Sequence, residues 1–301
     1  MAVKTAYVMF NGNKITAVLN ESTGKYEATV TAPAASSWSQ PDHVYKAEVH
    51  AEDNAGNTAS VTSSDVTYGN QLKIRVLEKT KPTAQITKPT SGSVLGSDAQ
   101  DIVLVVKDAG GSGLNLSTVV FKVNGSAIAS SALTWTDGAN GAKTATYHAT
   151  KLPDGSNTIE LQVTDNDGNV SDKASVSFII STAAPTLDVT TPVDNLLTNH
   201  SSVTVSGTAA AGSNAVTLSS VTVNGSKVTV GSKGAFSTEV QLAEGANTIT
   251  IVATDSLGKN TTVVRHVTRD STAPVITDIV TTPLTVDSGK TFKITFKVTD
   301  K

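Results

Sequence analysis

A short pattern recurs three times along the chain, and it limits the possible folds more than any other feature. Its first element is an apolar stretch closed by Asn-Gly. The copies are Val8-Met9-Phe10-Asn11-Gly12, Phe121-Lys122-Val123-Asn124-Gly125 and Val221-Thr222-Val223-Asn224-Gly225, followed by apolar Ile15, Ile128 and Val228. Asn and Gly tolerate positive φ, so the pair closes a tight hairpin between antiparallel strands. The second element is an alternating strand running into an acidic turn: Ala47–Asp53, Ile159–Asp165 and Ile249–Asp255. The turns read Asn54-Ala55-Gly56-Asn57, Asn166-Asp167-Gly168-Asn169 and Ser256-Leu257-Gly258-Lys259-Asn260, and a strand rich in Thr, Ser and Val follows each. The third is a proline joint: Thr80-Lys81-Pro82-Thr83, Thr182-Ala183-Ala184-Pro185-Thr186 and Ser271-Thr272-Ala273-Pro274. Proline cannot donate to a ladder and holds the chain extended, so these joints are short, stiff linkers.

Strands separated by turn signals every 8–12 residues or so predict two packed antiparallel sheets rather than a parallel sheet. The repeats place modules at 1–80, 81–182 and 183–270, with a partial module at 271–301. Aromatics are 4% of the chain, so the cores are thin and filled by aliphatic side chains, while abundant Thr and Val suit a pleated surface. The helix formers of Thr208-Ala209-Ala210-Ala211-Gly212 are too few to nucleate a helix. The expected fold is all-β: tandem sandwich modules, each touching mainly its neighbours, arranged as an elongated rod.

Several function classes fall away. The chain has no cysteine, which removes disulfides, thiol chemistry and thiolate zinc sites. Net charge is -3 without a basic stripe, which argues against nucleic-acid binding. No apolar run approaches the 18 or so residues that span a bilayer, so membrane insertion is not expected. The polar turn Asn11-Gly12-Asn13-Lys14 interrupts the start before a secretory apolar stretch can form. The chain as given is therefore expected not to leave the cell by the general secretory route.

No catalytic residues and no cofactor emerge from the motifs. In the second acidic turn, Asp165, Asp167, Asn169 and Asp172 place oxygens at alternate positions, as a calcium loop does. The alternative is a hairpin turn whose Asp and Asn cap their own backbone. It is favoured by Leu257 in the third copy and by the lack of a distal Glu. His43, His50, His148, His200 and His266 share no metal-ligand spacing, and His50 falls on the solvent face of a strand. Gly110-Gly111-Ser112-Gly113 lacks the Lys-Ser/Thr and the helix of a phosphate loop, and is expected to be a turn. Trp38, in an aperiodic loop, is either a ligand-binding anchor or a cover over the open end of a sandwich. Trp135 is expected to plug a core beneath Asp137–Gly141.

Modules two and three carry early strands before their Asn-Gly hairpins, at Pro82–Thr87 with Asp101–Asp108 and at Pro185–Val189 with Val203–Gly207. Module one has almost no room for them. The tail does: Pro274–Ile279 matches the first strand and Thr291–Asp300 the second. Alternating Phe292, Ile294, Phe296 and Val298 form an apolar row suited to self-association. Residue 301 is either a truncation point, or the tail is donated to the next chain's first module, or it closes onto its own chain. Donation is head-to-tail, so it closes a ring or propagates a filament.

The Asp-Asn-Ala-Gly-Asn turn, the Val-Asn-Gly hairpin and the Thr-Ala-Pro joint resemble the bacterial immunoglobulin-like repeats of surface and phage tail proteins. Asn11-Gly12, Gly24–Pro33 and Ala51–Asn57 also resemble the Ig-like tail-associated proteins of phages and prophages of Gram-positive bacteria. This resemblance implies a non-enzymatic structural or adhesive component of a phage tail, located in the virion. Its implied partners are other subunits, head-to-tail, and a host cell-surface glycan. The alternative is a fragment of a bacterial cell-surface adhesin or S-layer array, hence extracellular; an accessory carbohydrate module of an enzyme stands third. A rod predicts a radius of gyration, by small-angle scattering, well above the ~19 Å of one compact 300-residue domain.

Overall fold

The computed structural model describes residues 2–300, and among them the only helices are 3-10 turns of three or four residues. All other regular structure is strand. The modules are built mainly from antiparallel pairings, and Leu196–Thr198 against Asn260–Arg269 is parallel.

Module two shows the complete plan. One sheet runs Trp135–Asp137, Ala142–Ala149, Gln100–Lys107, Thr83–Lys88. The facing sheet contains Ser126–Ile128, Leu114–Val123, Gly155–Asp165 and Ala174–Ile180, in that order. The period-2 pattern decides which side chains go in. Ile102, Leu104 and Val106 of the first sheet and Ile159, Leu161 and Val163 of the second are all fully buried.

Module three repeats the plan with Thr186–Thr191, Ser202–Ala210 and Ala235–Gln241 on one side. Leu196–Thr198, Asn260–Arg269, Gly245–Asp255, Leu218–Val223 and Ser226–Val228 form the other. Val205 and Phe236 from the first sheet and Val221, Ile249 and Ile251 from the second share one core. The alanines at 209 and 210 extend a strand here, because pairing across the sheet overrides a weak helix preference.

Module one is thinner. Its main sheet runs Asn13–Thr16, Val3–Phe10, Tyr45–Asp53, Thr58–Val61, and Lys73–Ile74 also pairs with Tyr45–Asp53. A small hairpin, Val18–Asn20 with Lys25–Glu27, stands beside it. The buried core comprises Phe10, Tyr45, Ala47 and Val76. At the other end, Val275–Thr282 pairs with Lys293–Thr299 as a two-stranded sheet.

Residues 1–93 and 97–180 form one compact unit, and residues 94–96 with 181–301 form a second. The joint at Pro82 therefore does not separate two independent bodies, even though each module keeps its own sheets.

The three Asn-Gly hairpins have the expected geometry: φ is 48° and 77° at Asn11-Gly12, 50° and 77° at Asn124-Gly125, and 47° and 80° at Asn224-Gly225. Both central residues are left-handed, as the right-handed twist of the flanking strands requires. A Cβ at Gly125 or Gly225 would meet no atom within 4 Å, so the cost of a side chain there is conformational. Gly125→Val and Gly225→Val are expected to lose about 1–3 kcal/mol each, read as lower melting temperatures. Unchanged melting in both variants would refute the hairpin assignment.

Candidate functional site

The acidic turns are self-capping in all three modules. Asp53 Oδ1 accepts the N–H groups of Ala55 (2.8 Å) and Asn57 (2.9 Å). Asp165 Oδ1 does the same for Asp167 (2.9 Å) and Asn169 (2.8 Å), and Asp255 Oδ1 for Leu257 and Lys259 (both 2.9 Å). These contacts are those of the backbone-capping alternative.

At module two the same turn is drawn into something larger. Glu78, from the joint before Pro82, is buried against it. The Glu78 backbone N–H donates to Asp167 Oδ2 (3.0 Å), and Asn169 Nδ2 donates to Glu78 O (3.1 Å), Glu78 Oε1 (3.0 Å) and Asp165 Oδ2 (2.8 Å). Ser112 Oγ and the Thr80 N–H also donate to the Glu78 carboxylate. Gly110 makes room for it, since a Cβ there would lie 2.0 Å from Glu78 Cδ.

The Gly110–Gly113 turn also wraps a carboxylate. Asp108 accepts the N–H groups of Gly110 (3.1 Å), Gly111 (2.9 Å) and Gly113 (2.9 Å). The glycine loop is an anion nest, and the chain's own Asp108 fills it.

Carboxylate oxygens of Glu78, Asp108 and Asp165 lie within 4.8 Å of one another. Among the described residues, the hydrogen bonds to these three carboxylates come from backbone N–H groups, Ser112 and Asn169, not from Lys, Arg or His. Such an all-oxygen donor set is the type a hard cation such as Ca2+ takes. Burial raises the Asp165 pKa, but the Asn169 side-chain and backbone donors, with Glu78 and Asp167, outweigh it and hold the carboxyl below the ordinary 3.8.

Of the four oxygen-bearing candidates read from the turn, Asp165 is in this cluster and Asn169 and Asp167 hydrogen bond into it. Asp172 is not; its exposed side chain pairs with Lys81 Nζ at 2.8 Å. That contact holds the Asp172 carboxyl below its ordinary value. Glu78 and Asp108 escape a motif search because they lie 87 and 57 residues upstream of Asp165.

Trp38 is half-buried and stacks on His43, with ring centroids 4.0 Å apart and 8° between planes. His50 lies on the outer face of its strand, as expected, and stacks on Tyr7 at 4.8 Å, with Lys14 Nζ 3.9 Å from the Tyr7 ring centre. Trp135 is half-buried, and Leu133, two residues before it, is buried. Phe292, Ile294, Phe296 and Val298 are exposed on the tail hairpin.

Residues 185–271 match the family described as Glucodextranase, domain B. Over 234 residues the chain is 27% identical to Bacillopeptidase F of Bacillus subtilis (strain 168), covering 77% of this chain and 15% of that protein. Similar solved structures include the Escherichia coli adhesin FdeC, at 15% identity and TM-score 0.36, covering 89% of this chain and 98% of that one. A Ca2+-stabilised, ice-binding adhesin of an Antarctic bacterium aligns at 21% identity and TM-score 0.38, covering 91% and 67%. The fold is all-β, built from packed sheets.

The Asp165 cap is buried and the Asp53 cap is not, so their loss should differ. Asp165→Ala leaves two backbone donors without an acceptor in a dry site and is expected to cost about 1–3 kcal/mol. Asp53→Ala is expected to cost less, because water replaces the carboxylate. A depressed carboxyl pKa contributes stability above its unfolded value, and the contribution is lost as pH falls through the folded value. Below pH 3.8, wild-type stability should therefore fall more steeply than that of Asp165→Asn, measured by urea denaturation at a series of pH values.

Proposed function

We propose that the chain is a non-catalytic structural and adhesive array of immunoglobulin-like modules that carries a contact surface rather than a reaction centre. The observation that carries this reading is the joint at Glu78–Pro82. A linker between independent enzymes would leave its polar groups in water, whereas here the Glu78 backbone and side chain bond into the turn of module two. Lys81 adds an exposed ion pair to Asp172. Such a joint suits a spacer whose modules share load.

The first placement is a phage tail or tail-like particle. Its support is the sequence of module one, which resembles Ig-like tail-associated proteins. Module one also offers the stacked Tyr7–His50 pair beside Lys14 on a strand face, a ring surface of the kind that meets a sugar. The second placement is a bacterial surface or secreted protein. The match to Bacillopeptidase F favours it, because the aligned region is a small part of that longer bacterial protein.

Immunogold labelling with antibody against the chain separates the two placements. Label on tails in lysates after prophage induction is expected for the first. Label on the walls of intact cells and none on particles would replace it with the second. Adhesion is read by binding of the purified chain to cell-wall sacculi, where Tyr7→Ala is expected to lower retention at least about tenfold. That is the loss of roughly 1.4 kcal/mol, within the range of one aromatic contact.

A further inference from the structure

We propose that the flank of module three is a binding cleft for a phosphate-bearing polyol, either a free sugar or polyol phosphate or a unit of a polyol-phosphate chain. The proposal goes beyond the array reading, because it assigns a ligand class to a site that the array does not need.

Modules two and three differ on the flank where the chain crosses from the second sheet to the first. In both, a glycine turn closes the crossing: the Gly138 N–H donates to Ala142 O (2.8 Å), and the Gly231 N–H donates to Ala235 O (2.7 Å). The stretch leading to that glycine is residues 129–137 in module two and only residues 229–230 in module three. Module two uses its longer stretch to cover the flank. The turn Ser130–Ala132 packs on Leu114–Val123, Leu133 is buried, and Trp135–Asp137 adds a strand beside Ala142–Ala149. Module three lacks those residues. A cleft of about 920 Å³ lies there, bordered by Ala209 and Ala210, by residues 218–220 and by the 227–234 connection. Its size is that of a small-molecule site, for which volumes of about 300–1,000 Å³ are usual.

The lining selects the ligand by charge. Lys227 and Lys233 line the cleft, and no described residue of the lining is acidic or aromatic. Among the described residues, neither lysine joins an ion pair, and the hydroxyls of Ser219, Ser220 and Thr229 make no hydrogen bond within the chain. Gly234 fixes one wall: a Cβ there would lie 2.0 Å from Ala209 O, so the turn at 232–234 sits directly on the first sheet. That turn holds Lys233 at φ 58°, where module two has Asn140 at φ 55°. Asparagine takes this left-handed conformation more readily than lysine, and strain of this kind collects where a side chain is used. Two ammonium groups and three free hydroxyls match an anion that itself carries hydroxyls. An ammonium binds phosphate as a point charge, whereas a planar carboxylate is matched by the arginine fork, which the lining lacks. A nucleobase would find no aromatic platform to stack on, which leaves a polyol as the carrier of the phosphate.

The test is titration calorimetry on the whole chain with glycerol 3-phosphate and with poly(glycerol phosphate), and with polygalacturonate as a carboxylate polymer. Binding of a phosphate probe is expected. Binding of the monomer assigns a free polyol phosphate, and binding of the polymer alone assigns a surface chain. Lys227→Gln/Lys233→Gln is expected to weaken binding at least about tenfold. Ser219→Trp, which fills the cleft and keeps both lysines, is expected to do the same. Lys25→Gln/Lys88→Gln makes the same charge change in modules one and two, and is expected to leave affinity within about twofold. All five substituted side chains are exposed, so the variants should melt as the wild type does. Four results each overturn the proposal: no binding of either phosphate probe, equal loss in Lys25→Gln/Lys88→Gln, unchanged affinity in Ser219→Trp, or polygalacturonate bound as tightly as poly(glycerol phosphate). The sacculus assay reads Tyr7 in module one, so the array reading is judged separately.

Discussion

The central strand of each module ends on an aspartate whose carboxylate is bound by its own turn. In modules two and three this cap is almost inaccessible, with Asp165 1% and Asp255 2% exposed. A charge there is tolerable only because backbone donors converge on it, and they converge only if the turn has one shape. The cap thus fixes where the long strand stops, where the next begins, and which residues stand at that end of the sandwich. Module one keeps the same bonds at a partly exposed Asp53, where water competes for them.

What is built on the cap differs from module to module. Behind Asp165 stand Glu78 and Asp108, and Asn169 carries a donor to Glu78 and to Asp165. At the corresponding place in the third module, Lys259 occupies the turn position of Asn169. Its ammonium donates to the Thr182 carbonyl. One position is thus served by a neutral amide between carboxylates and the other by a cation on a carbonyl. The backbone template is the same, and the electrostatic character of the end of the module is set by two or three side chains.

The aliphatic cores explain why module one is the thinner of the three. With few aromatics, each module excludes water only when two sheets meet face to face. Modules two and three achieve this with their first two strands, and their central aliphatics are fully buried. In module one, four residues make up the buried core, and Val30 packs against it from a segment without a ladder partner. The same residue classes thus give a closed core in one repeat and a thinner one in another.

The sequence alone determined the strands, the three left-handed Asn-Gly turns and the capped acidic turns. Each depends on residues close together in the chain: period-2 alternation, positive φ at Asn-Gly, an Asp two and four residues before the N–H groups it binds. It also pointed to the exposed row at Phe292–Val298, because two earlier copies of the same strands were available for comparison. Tertiary structure decided what no local pattern carries. It brought Glu78 and Asp108 to Asp165 from 87 and 57 residues away, and sent Asp172, only seven residues on, to Lys81. It turned the glycine loop onto Asp108, and joined modules one and two in one compact unit. These outcomes depend on how finished strands stack and where their ends meet, which is set by packing across the sandwich and not by spacing along the chain.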